Sequence, residues 1–415
     1  MRFLYTLGIL LYWFAIWLVS PFNNKAKKTL QGRKNWKKDL KNNWKKTKKT
    51  YWFHCSSLGE FEQARPVLER LKEQKDIAVF LSFFSPSGYE IRKDYDFADY
   101  VCYLPADTPR NAADFIKIVQ PDIAVFVKYE FWYNYIYQTH KKSIPLYYFS
   151  VIFRPSQHFF KFLGKWFTKH LKMINQLFVQ NETSVELAKK IGLKNIRLCG
   201  DTRFDRVFSI AQNPKDFPFI KEFINGKKCI LMGSSWLPDD KMMAAVFPNY
   251  KGKIKLIIAP HHTDESRIKQ IESLFPDSIC FTNIQKEGLN EKDKDKDVMI
   301  IDTIGILSSL YRYADVAFIG NGFGSGIHNT LEAAVYGLPL VFGPHYHKFQ
   351  EAVDLVEKSG AFSFSSPETL DKHLNNLLFN QERYNSASSV CKEYVQQNLG
   401  ATEKIVSVIL KENFN

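Results

Sequence analysis

Two glutamates stand directly after runs of residues with strand character. Glu60 follows the run Tyr51–Cys55 after a short loop of small residues, and Glu130 follows the run Ile123–Val127 and a lysine, Lys128. The carboxyl ends of parallel strands meet at one edge of a sheet, where α/β proteins bind their ligands. A carboxylate there can act as a general base, and the small-residue loop before Glu60 would let a substrate approach the backbone closely.

Each carboxylate also has a purely structural interpretation. Glu60 stands where a helix is predicted to begin, and a carboxylate in a first helical turn is favoured by the unpaired N–H groups there. Glu130 could make a structural hydrogen bond instead of a ligand contact. The spacing by itself leaves both interpretations open.

A glycine-rich segment from Gly320 to Thr330 connects a predicted strand, Val316–Ile319, to a predicted helix. Backbone N–H groups at such a turn bind anions and phosphates. The segment has neither G-x-G-x-x-G spacing nor a Walker A lysine, so dinucleotide-dependent dehydrogenases and P-loop NTPases are disfavoured. Glu332 lies one turn into the helix, where a carboxylate can reach ribose hydroxyls.

The histidines and cysteines do not indicate a metal site. His261-His262 and His345-x-His347 have no accompanying Asp, Glu or Cys at ligand spacing, and His261 is expected to contact a ligand phosphate or base. The six cysteines lack C-x-x-C spacing and mostly lie in or beside apolar runs, as small buried residues of a reducing compartment do. We expect no metal and no other cofactor.

Alternating strand and helix patterns after residue 50 must position these groups. The alternation breaks around residues 209–227, which contain Pro214 and Pro218, and then restarts. The pattern predicts an α/β fold with two Rossmann-like, doubly wound parallel-sheet domains that face a cleft, preceded by a membrane-anchor helix. The predicted organisation is an anchor helix over 1–21, a basic juxtamembrane segment over 22–49, an N-terminal Rossmann-like domain over 50–210, a linker over 211–227, and a C-terminal Rossmann-like domain with C-terminal helices over 228–415.

The run Phe3–Val19 carries no charge. At 1.5 Å per residue, roughly 17–18 helical residues just reach the ~30 Å of a hydrocarbon core. A cleaved signal peptide is disfavoured because no small-x-small site follows and the positive charges come after the run. Its tyrosines and tryptophans are typical of membrane interfaces, so a helix lying in the interface remains an alternative to a spanning one. A buried core helix is the third alternative.

The positive charge is concentrated next to that run. The chain has 415 residues and a formal charge of +14, but residues 1–49 hold 13 basic residues and one acid, while the other 366 hold 44 basic and 42 acidic residues. A globally basic nucleic-acid-binding protein is thereby excluded. Trp36 and Trp44 lie among the lysines, which suits anionic lipid headgroups. Single-stranded nucleic acid is disfavoured as a partner because the adjacent apolar run already indicates a membrane, and the positive-inside rule places residues from Asn23 onward in the cytoplasm.

Six short motifs, in consistent order over nearly the whole chain, resemble those of the 3-deoxy-D-manno-octulosonic acid (Kdo) transferases, glycosyltransferases of the GT-B fold with an N-terminal membrane anchor. Ser57-Leu58-Gly59-Glu60 is similar to the family's S-V-G-E, Glu130-Phe131-Trp132 to E-L-W, Gly200-Asp201-Thr202-Arg203-Phe204-Asp205 to G-N-L-K-F-D, Ala259-Pro260-His261-His262 to A-P-R-H, Asp302-Thr303-Ile304-Gly305 to D-T-M-G, and His328-Asn329-Thr330-Leu331-Glu332 to H-N-P-L-E.

The resemblance implies an inverting transferase that moves Kdo from CMP-Kdo to the lipid A precursor lipid IVA, in lipopolysaccharide biosynthesis at the cytoplasmic face of the inner membrane. Glu60 would be the general base, and Glu130 and Arg203 would stabilise the transition state. The helix N-terminus after the glycine-rich loop would accept the charge of the CMP phosphate. Implied donor-binding residues are Pro260, His261, Ile304, Gly305, Ile306, Asn329, Thr330, Leu331 and Glu332; candidate acceptor-binding residues are Ser57, Gly59, Lys128 and Arg154.

The chain departs from the family pattern at several positions. Lys128–Tyr133 stands where E-T-E-L-W-P is usual, which loses one carboxylate and the proline. His261 replaces an arginine, so a phosphate contact there would be weaker and pH-dependent. Ile306 replaces an acidic residue, which leaves only backbone contacts. Alternative functions are a membrane-associated GT-B transferase that uses a UDP-sugar, and a catalytically inactive membrane scaffold.

Overall fold

The structure is a computed structural model that describes residues 1–161 and 164–414. The chain forms two compact units. The first comprises Met1–Arg206 and Leu399–Asn415, and the second comprises Val207–Asn398.

The described residues of the first unit form a seven-stranded parallel sheet in the order β3-β2-β1-β4-β5-β6-β7. The central strands are mostly apolar and are buried along almost their whole length, as expected where helices cover both faces of a sheet. Alternate residues such as Trp52 and Phe53 therefore enter two different cores. The strands are β1 Lys49–Cys55, β2 Ile77–Phe83, β3 Tyr100–Tyr103, β4 Ile123–Val127, β5 Leu146–Val151, β6 Gln176–Val179 and β7 Ile196–Leu198.

The strand order reverses between β1 and β4, which are neighbours in the sheet. The loops that follow these two strands therefore meet at the topological switch point, where such sheets bind ligands. The helices are α1 Arg2–Val19, α2 Asn24–Gln31, α3 Trp36–Asn43, α4 Leu58–Lys72, α5 Pro86–Arg92, α6 Pro109–Val119, α7 Tyr133–Lys141, α8 Gly164–Leu171, α9 Glu182–Lys190 and α10 Thr202–Gln212.

The second unit repeats this architecture. Its described strands form a seven-stranded parallel sheet in the order β10-β11-β9-β8-β12-β13-β14. The strands are β8 Lys228–Ser235, β9 Ile254–Pro260, β10 Ser278–Cys280, β11 Val298–Ile300, β12 Val316–Ile319, β13 Leu340–Phe342 and β14 Ala361–Ser363. The helices are α11 Pro218–Ile224, α12 Leu237–Val246, α13 Glu265–Leu274, α14 Phe281–Glu287, α15 Glu291–Asp295, α16 Leu307–Leu310, α17 Leu331–Ala334, α18 Gln350–Glu357, α19 Pro367–Phe379 and α20 Gln381–Gln397. Two doubly wound parallel sheets and an N-terminal apolar helix are as predicted.

The boundaries between the units differ from the sequence-based ones. The supposed linker 211–227 contains α11, whose Ile220 and Phe223 are buried in the second unit. The last helix, α21 Ala401–Phe414, lies in the first unit and buries Ile405 and Ile409 in its core. An apolar helical face is visible in a sequence, but which of two cores it covers is not.

The basic segment 22–49 is part of the first unit and not a separate appendage. Leu40 and Trp44 are buried in its core. The rings of Trp36 and Trp44 lie 6.2 Å from that of Phe115 and 5.0 Å from that of Phe80, respectively. The expectation that both tryptophans face lipid is therefore wrong for Trp44, which is buried, whereas Trp36 is half-buried. Charge patterning does not show that an aromatic residue between lysines points inward.

Candidate active site

Glu60 lies in the first turn of α4, directly behind the end of β1. Its Oε2 accepts a hydrogen bond from the backbone N–H of Ser56 at 2.5 Å, and only 7% of the residue is exposed. Burial raises the pKa of the Glu60 carboxyl, although the N–H groups of Ser56 and Ser57 and the charge of Lys128 act in the opposite direction. Glu60 thus accepts a hydrogen bond from the backbone just before α4, and its carboxylate is more basic than that of an exposed glutamate.

Glu130 follows the end of β4 and interacts with Glu60. Burial and, next, the negative charge of Glu60 raise the pKa of Glu130, whereas hydrogen bonds from the Ser56 and Trp132 side chains and the charge of Lys128 lower it. The two carboxylates therefore interact electrostatically. Two adjacent carboxyls with raised pKa values are typical of catalytic sites.

The backbone next to Glu130 is in an uncommon conformation. Lys128 has a φ of 58° and its N–H donates to the carbonyl oxygen of Phe149 at 2.9 Å. Ser150, at an irregular position of β5, has a φ of 56°. Left-handed conformations at residues other than glycine are concentrated at functional sites, so these strand ends support the same location.

Arg203 lies at the start of α10 and is held by Asp201. Its Nε donates to Asp201 Oδ2 at 2.8 Å, and its backbone N–H donates to Asp201 Oδ1 at 2.9 Å. The hydroxyl of the neighbouring Thr202 donates to the carbonyl oxygen of Gln63 on α4 at 2.7 Å. This bond fixes the start of α10 against the helix that carries Glu60.

The site contains supporting residues that the sequence did not reveal. His54, fully buried in β1, places Nδ1 3.1 Å from the carbonyl oxygen of Ser82 and accepts at Nε2 from the Trp132 indole N–H at 3.1 Å. Burial lowers the pKa of His54 to about 3, so the ring is neutral and can accept. Trp132 lies in one of the recognised motifs and His54 in the strand before another, but only the packing shows that they bind each other.

The residues predicted to bind the sugar acceptor follow the carboxyl ends of strands in the first sheet. Ser57 precedes the first turn of α4, and Gly59 within that turn is exposed with open space beside its Cα. Arg154 lies in the exposed loop after β5, where its backbone N–H donates to Gln157 Oε1. Space next to Gly59 is compatible with a ligand that approaches the backbone.

In the second unit, three rings stack at the ends of β8, β9 and β12. The Trp236 and His261 rings lie 5.1 Å apart at 20°, and the His261 and His328 rings 4.5 Å apart at 21°. The Trp236 indole N–H donates to His328 Nε2 at 3.1 Å. Burial and the neighbouring histidine charge lower the pKa of His261 and of His328, so this stack is neutral near pH 7. Trp236 was not identified from the sequence.

The other residues that were predicted to bind the sugar donor differ in how exposed they are. Pro260 ends β9 and is buried; Ile304 is 77% exposed, Gly305 has a φ of 82°, and Ile306 is buried. Asn329 donates to Glu332 Oε1 at 3.0 Å and accepts from the Leu331 N–H at 3.1 Å. Thr330 and Leu331 have buried side chains, so a ligand could reach Leu331 only through its backbone.

The expected anion site at a helix N-terminus is not supported. The helix after the glycine-rich loop, α17, has four residues, which is about one turn and gives little cumulative dipole. The glycines serve close packing instead, since a Cβ on Gly322 would come within 2.4 Å of the Gly343 backbone. Among residues 1–161 and 164–414, no group of three or more His, Cys, Asp or Glu side chains is arranged to hold a metal.

Known proteins with similar sequences share one description. Residues 31–206 match the family model described as 3-deoxy-D-manno-octulosonic-acid transferase (kdotransferase). The chain is 29% identical over 335 residues to the protein of that name from Aquifex aeolicus, which covers 79% of this chain and 85% of the relative. The chain is therefore similar to Kdo transferases, which are glycosyltransferases, over most of its length. Its relative from Chlamydia trachomatis is 25% identical, with 83% of this chain and 82% of the relative covered.

Solved structures agree with the fold expected of a Kdo transferase. UDP-GlcNAc 2-epimerase from Neisseria meningitidis superposes with a TM-score of 0.62 at 16% identity, covering 87% of this chain and 100% of that one. MurG from Acinetobacter baumannii gives a TM-score of 0.54 at 14% identity, with 87% and 99% coverage. At these identities the similarity shows a GT-B-like fold alone. The family resemblance, the fold class and the assignment to glycosyltransferases are thus confirmed.

Proposed function

We propose that this chain is a Kdo transferase that moves Kdo from CMP-Kdo to lipid IVA, with inversion at the anomeric carbon and Glu60 as the general base. The observation that carries this proposal is the pair of interacting carboxylates, Glu60 and Glu130, at the switch point of the first sheet. A general base must lie at a ligand-binding edge and be basic enough to accept a proton. Glu60 lies at such an edge, and burial raises its pKa.

In the proposed reaction, Glu60 removes the proton of a primary hydroxyl on the acceptor. The hydroxyl oxygen then forms a bond to the anomeric carbon of Kdo, the bond between that carbon and the CMP phosphate oxygen breaks, and CMP leaves with the electron pair. The raised pKa of Glu60 makes it a stronger base than an exposed glutamate, which lowers the cost of this proton transfer.

Glu130 and Arg203 support this step in different ways. Because its pKa is raised by burial and by Glu60, Glu130 is the carboxyl that holds a proton while Glu60 is ionised, and it can donate a hydrogen bond. Arg203 supplies a positive charge whose orientation is set by Asp201, suited to the charge that develops on the leaving phosphate. Ser57, Gly59, Lys128 and Arg154 would contact the acceptor.

The second unit would hold CMP. The neutral stack of Trp236, His261 and His328 offers aromatic faces to a ligand, so we propose that His261 contributes packing or a neutral hydrogen bond and not a permanent charge. Pro260, the exposed residues Ile304 and Gly305, the backbone of Ile306 and the polar side chains of Asn329 and Glu332 would complete the donor site, with Thr330 and Leu331 contributing through their backbone.

The N-terminal region supports an association with the cytoplasmic face of the inner membrane. Helix α1 is long and apolar enough to cross a bilayer, and none of its residues is buried. The basic residues of the first 49 positions lie next to it and would attract anionic lipids. This location would bring the site to a phosphorylated, acylated acceptor.

The test is a transfer assay with the purified full-length chain, CMP-Kdo and lipid IVA, followed by mass spectrometry of the acceptor. We expect release of CMP and an acceptor mass increased by one or more Kdo residues, and the increment gives the number of additions. An unchanged acceptor, together with turnover of a UDP-sugar, would overturn the proposal in favour of the UDP-sugar alternative.

A further inference from the structure

One side of α1 packs against the first unit over most of the helix length. Its half-buried residues recur every three or four positions, the spacing of one helical face; they are Arg2, Tyr5, Thr6, Ile9, Trp13 and Ile16. Near the start of α1, Arg2 Nε donates to Asn134 Oδ1 at 3.0 Å. Further along, the Arg33 guanidinium lies 4.9 Å from the centre of the Trp13 ring. Docking therefore extends from the first turn to beyond the middle of the helix.

The contact at the start of α1 is polar and built into the unit. The Tyr5 hydroxyl donates to Asp107 Oδ2 at 2.6 Å, and Asp107 is 1% exposed. Asp107 also accepts from the backbone N–H groups of Asn134 and Tyr135, both at 3.2 Å. Undocking α1 would remove one of the donors of a buried carboxylate, which is costly.

The opposite side of α1 is apolar and exposed. Leu4, Leu7, Leu11 and Leu18 share that side at helical spacing, and Leu11 and Leu18 are 59% and 52% exposed. Phe22, just beyond the helix, is 91% exposed. So large a strip of exposed leucine and aromatic surface indicates a partner that is itself apolar.

The surroundings of this strip have the composition of a membrane interface. Helix α2 carries Lys25, Lys27 and Lys28. A cavity of about 470 Å³ opens beside α1 and is lined by Trp13, Trp17, Trp36, Arg33 and Lys34, among others. Aromatic rings next to lysines match the headgroup region of an anionic bilayer. A second copy of this chain would bring like charges together and is disfavoured.

We propose that α1 lies in the plane of an anionic bilayer surface as a fixed part of the first unit, and that it does not cross the bilayer. This inference rests on the membrane association proposed above. To span, the start of α1 would have to reach the far side, but Arg2 and Tyr5 are bound to Asn134 and Asp107 on a polar folded unit that cannot enter hydrocarbon. A helix docked on one side and apolar on the other lies in the interface.

Nitroxide depth measurements distinguish the two arrangements. Spin labels would be attached at Leu4→Cys, Leu11→Cys and Leu18→Cys in the full chain, with the partly exposed Cys102 and Cys280 changed to alanine, in phosphatidylethanolamine–phosphatidylglycerol vesicles. We expect the three labels to lie at one depth, roughly 5–10 Å below the headgroup boundary. A spanning helix would instead place Leu11 deepest, separated from Leu4 by about 10 Å along the bilayer normal at 1.5 Å per residue.

A label at Ile9→Cys, on the docked side, is the matched control and should be shielded from lipid and from solvent probes. Failure of the chain to bind the vesicles would overturn the proposal. So would spin labels that have no contact with lipid in a protein of twice the monomer mass, because a second copy of the chain would then cover the strip. The experiment measures no Kdo transfer, so its outcome is independent of whether the proposed reaction is correct.

Discussion

At the scale of single residues, Glu60 is the side chain on which the proposed chemistry depends. Glu60→Gln keeps the shape of the side chain and its hydrogen bond from Ser56, but the amide cannot accept the acceptor's proton. We expect the transfer rate to fall by about 10²–10⁴, measured as CMP release with lipid IVA. Glu69→Gln, which changes a glutamate further along α4 that pairs with Arg65, should leave the rate unchanged. Equal losses of transfer rate in Glu60→Gln and Glu69→Gln would contradict the assignment of Glu60 as the general base.

Glu130 gives a prediction about pH. Burial and the charge of Glu60 raise the pKa of Glu130, and in the proposed mechanism the active form has Glu60 ionised and Glu130 protonated. The rate should rise with pH as Glu60 loses its proton and fall again as Glu130 loses its own. Glu130→Gln fixes the neutral state and should remove the alkaline fall while keeping the acid one. Inactivity of Glu130→Gln at every pH would show that the carboxylate is needed as an anion.

The raised pKa of Glu130 also makes the stability of the folded chain depend on pH. The pKa of Glu130 is higher in the folded chain than its ordinary value of 4.5, so its contribution to stability is complete below that value and is lost as the pH rises through the folded pKa. The melting temperature of Glu130→Gln minus that of the wild type should therefore increase from pH 4.5 to pH 8. A constant difference would argue against a buried, perturbed carboxyl.

At the scale of elements, a chain of aromatic contacts connects α1 to Glu130. The Phe84 ring, after β2, lies 6.1 Å from that of Trp13 on α1 and 4.9 Å from that of Trp132. Trp132 in turn donates to His54 and lowers the pKa of Glu130. Trp132 is therefore expected to position the Glu130 loop.

Trp132→Phe keeps an aromatic ring against Phe84 but removes the indole N–H. Without that donor, the pKa of Glu130 should rise further, so the alkaline fall of the pH–rate profile should move to higher pH and the rate should drop about tenfold, as expected for loss of about 1.4 kcal/mol of stabilisation. Trp17→Phe, at an exposed site on α1, is the control. A lower rate with an unmoved profile would mean that Trp132 supports packing only.

Arg33 joins the N-terminal helices to the sheet. Its guanidinium donates to the carbonyl oxygens of Leu104, Thr29 and Phe84 at 2.7, 2.9 and 2.6 Å. Arg33→Met would fill similar space but leave these acceptors unpaired, and we expect a loss of roughly 3 kcal/mol in the free energy of unfolding, measured by urea denaturation. Lys34→Met, at the exposed neighbour, should change it by less than about 0.5 kcal/mol.

At the scale of the whole molecule, the N-terminal region contributes to both anchoring and folding. Deleting residues 1–49 removes Leu40 and Trp44 from the core, at a cost of roughly 5–9 kcal/mol from those two side chains, which is comparable to the total stability of a domain. We expect this truncation to give no cooperative thermal transition. Deleting residues 1–21 should give a folded but less stable chain that no longer binds vesicles. Unchanged melting of the longer truncation would show that segment 22–49 is an appendage after all.

The sequence alone determined the features that depend on local chemistry. Continuous apolar strands alternating with helices specified two parallel sheets, since only a strand covered on both faces can be apolar throughout. The positions of Glu60 and Glu130 after β1 and β4 followed from chain order, and the motifs around them indicated the family. The uncharged run before the lysines indicated a membrane helix.

Only the tertiary structure decided what depends on contacts between distant positions. Burial together with the adjacency of β1 and β4 gives the two carboxyls their raised pKa values, and burial, with the charge of Arg33, keeps His54 neutral so that it can accept from Trp132. Packing also assigned α21 to the first unit and turned Trp44 and Arg33 inward. These outcomes depend on which surfaces exclude water from one another, and that is fixed by the folded arrangement and not by residue type or spacing.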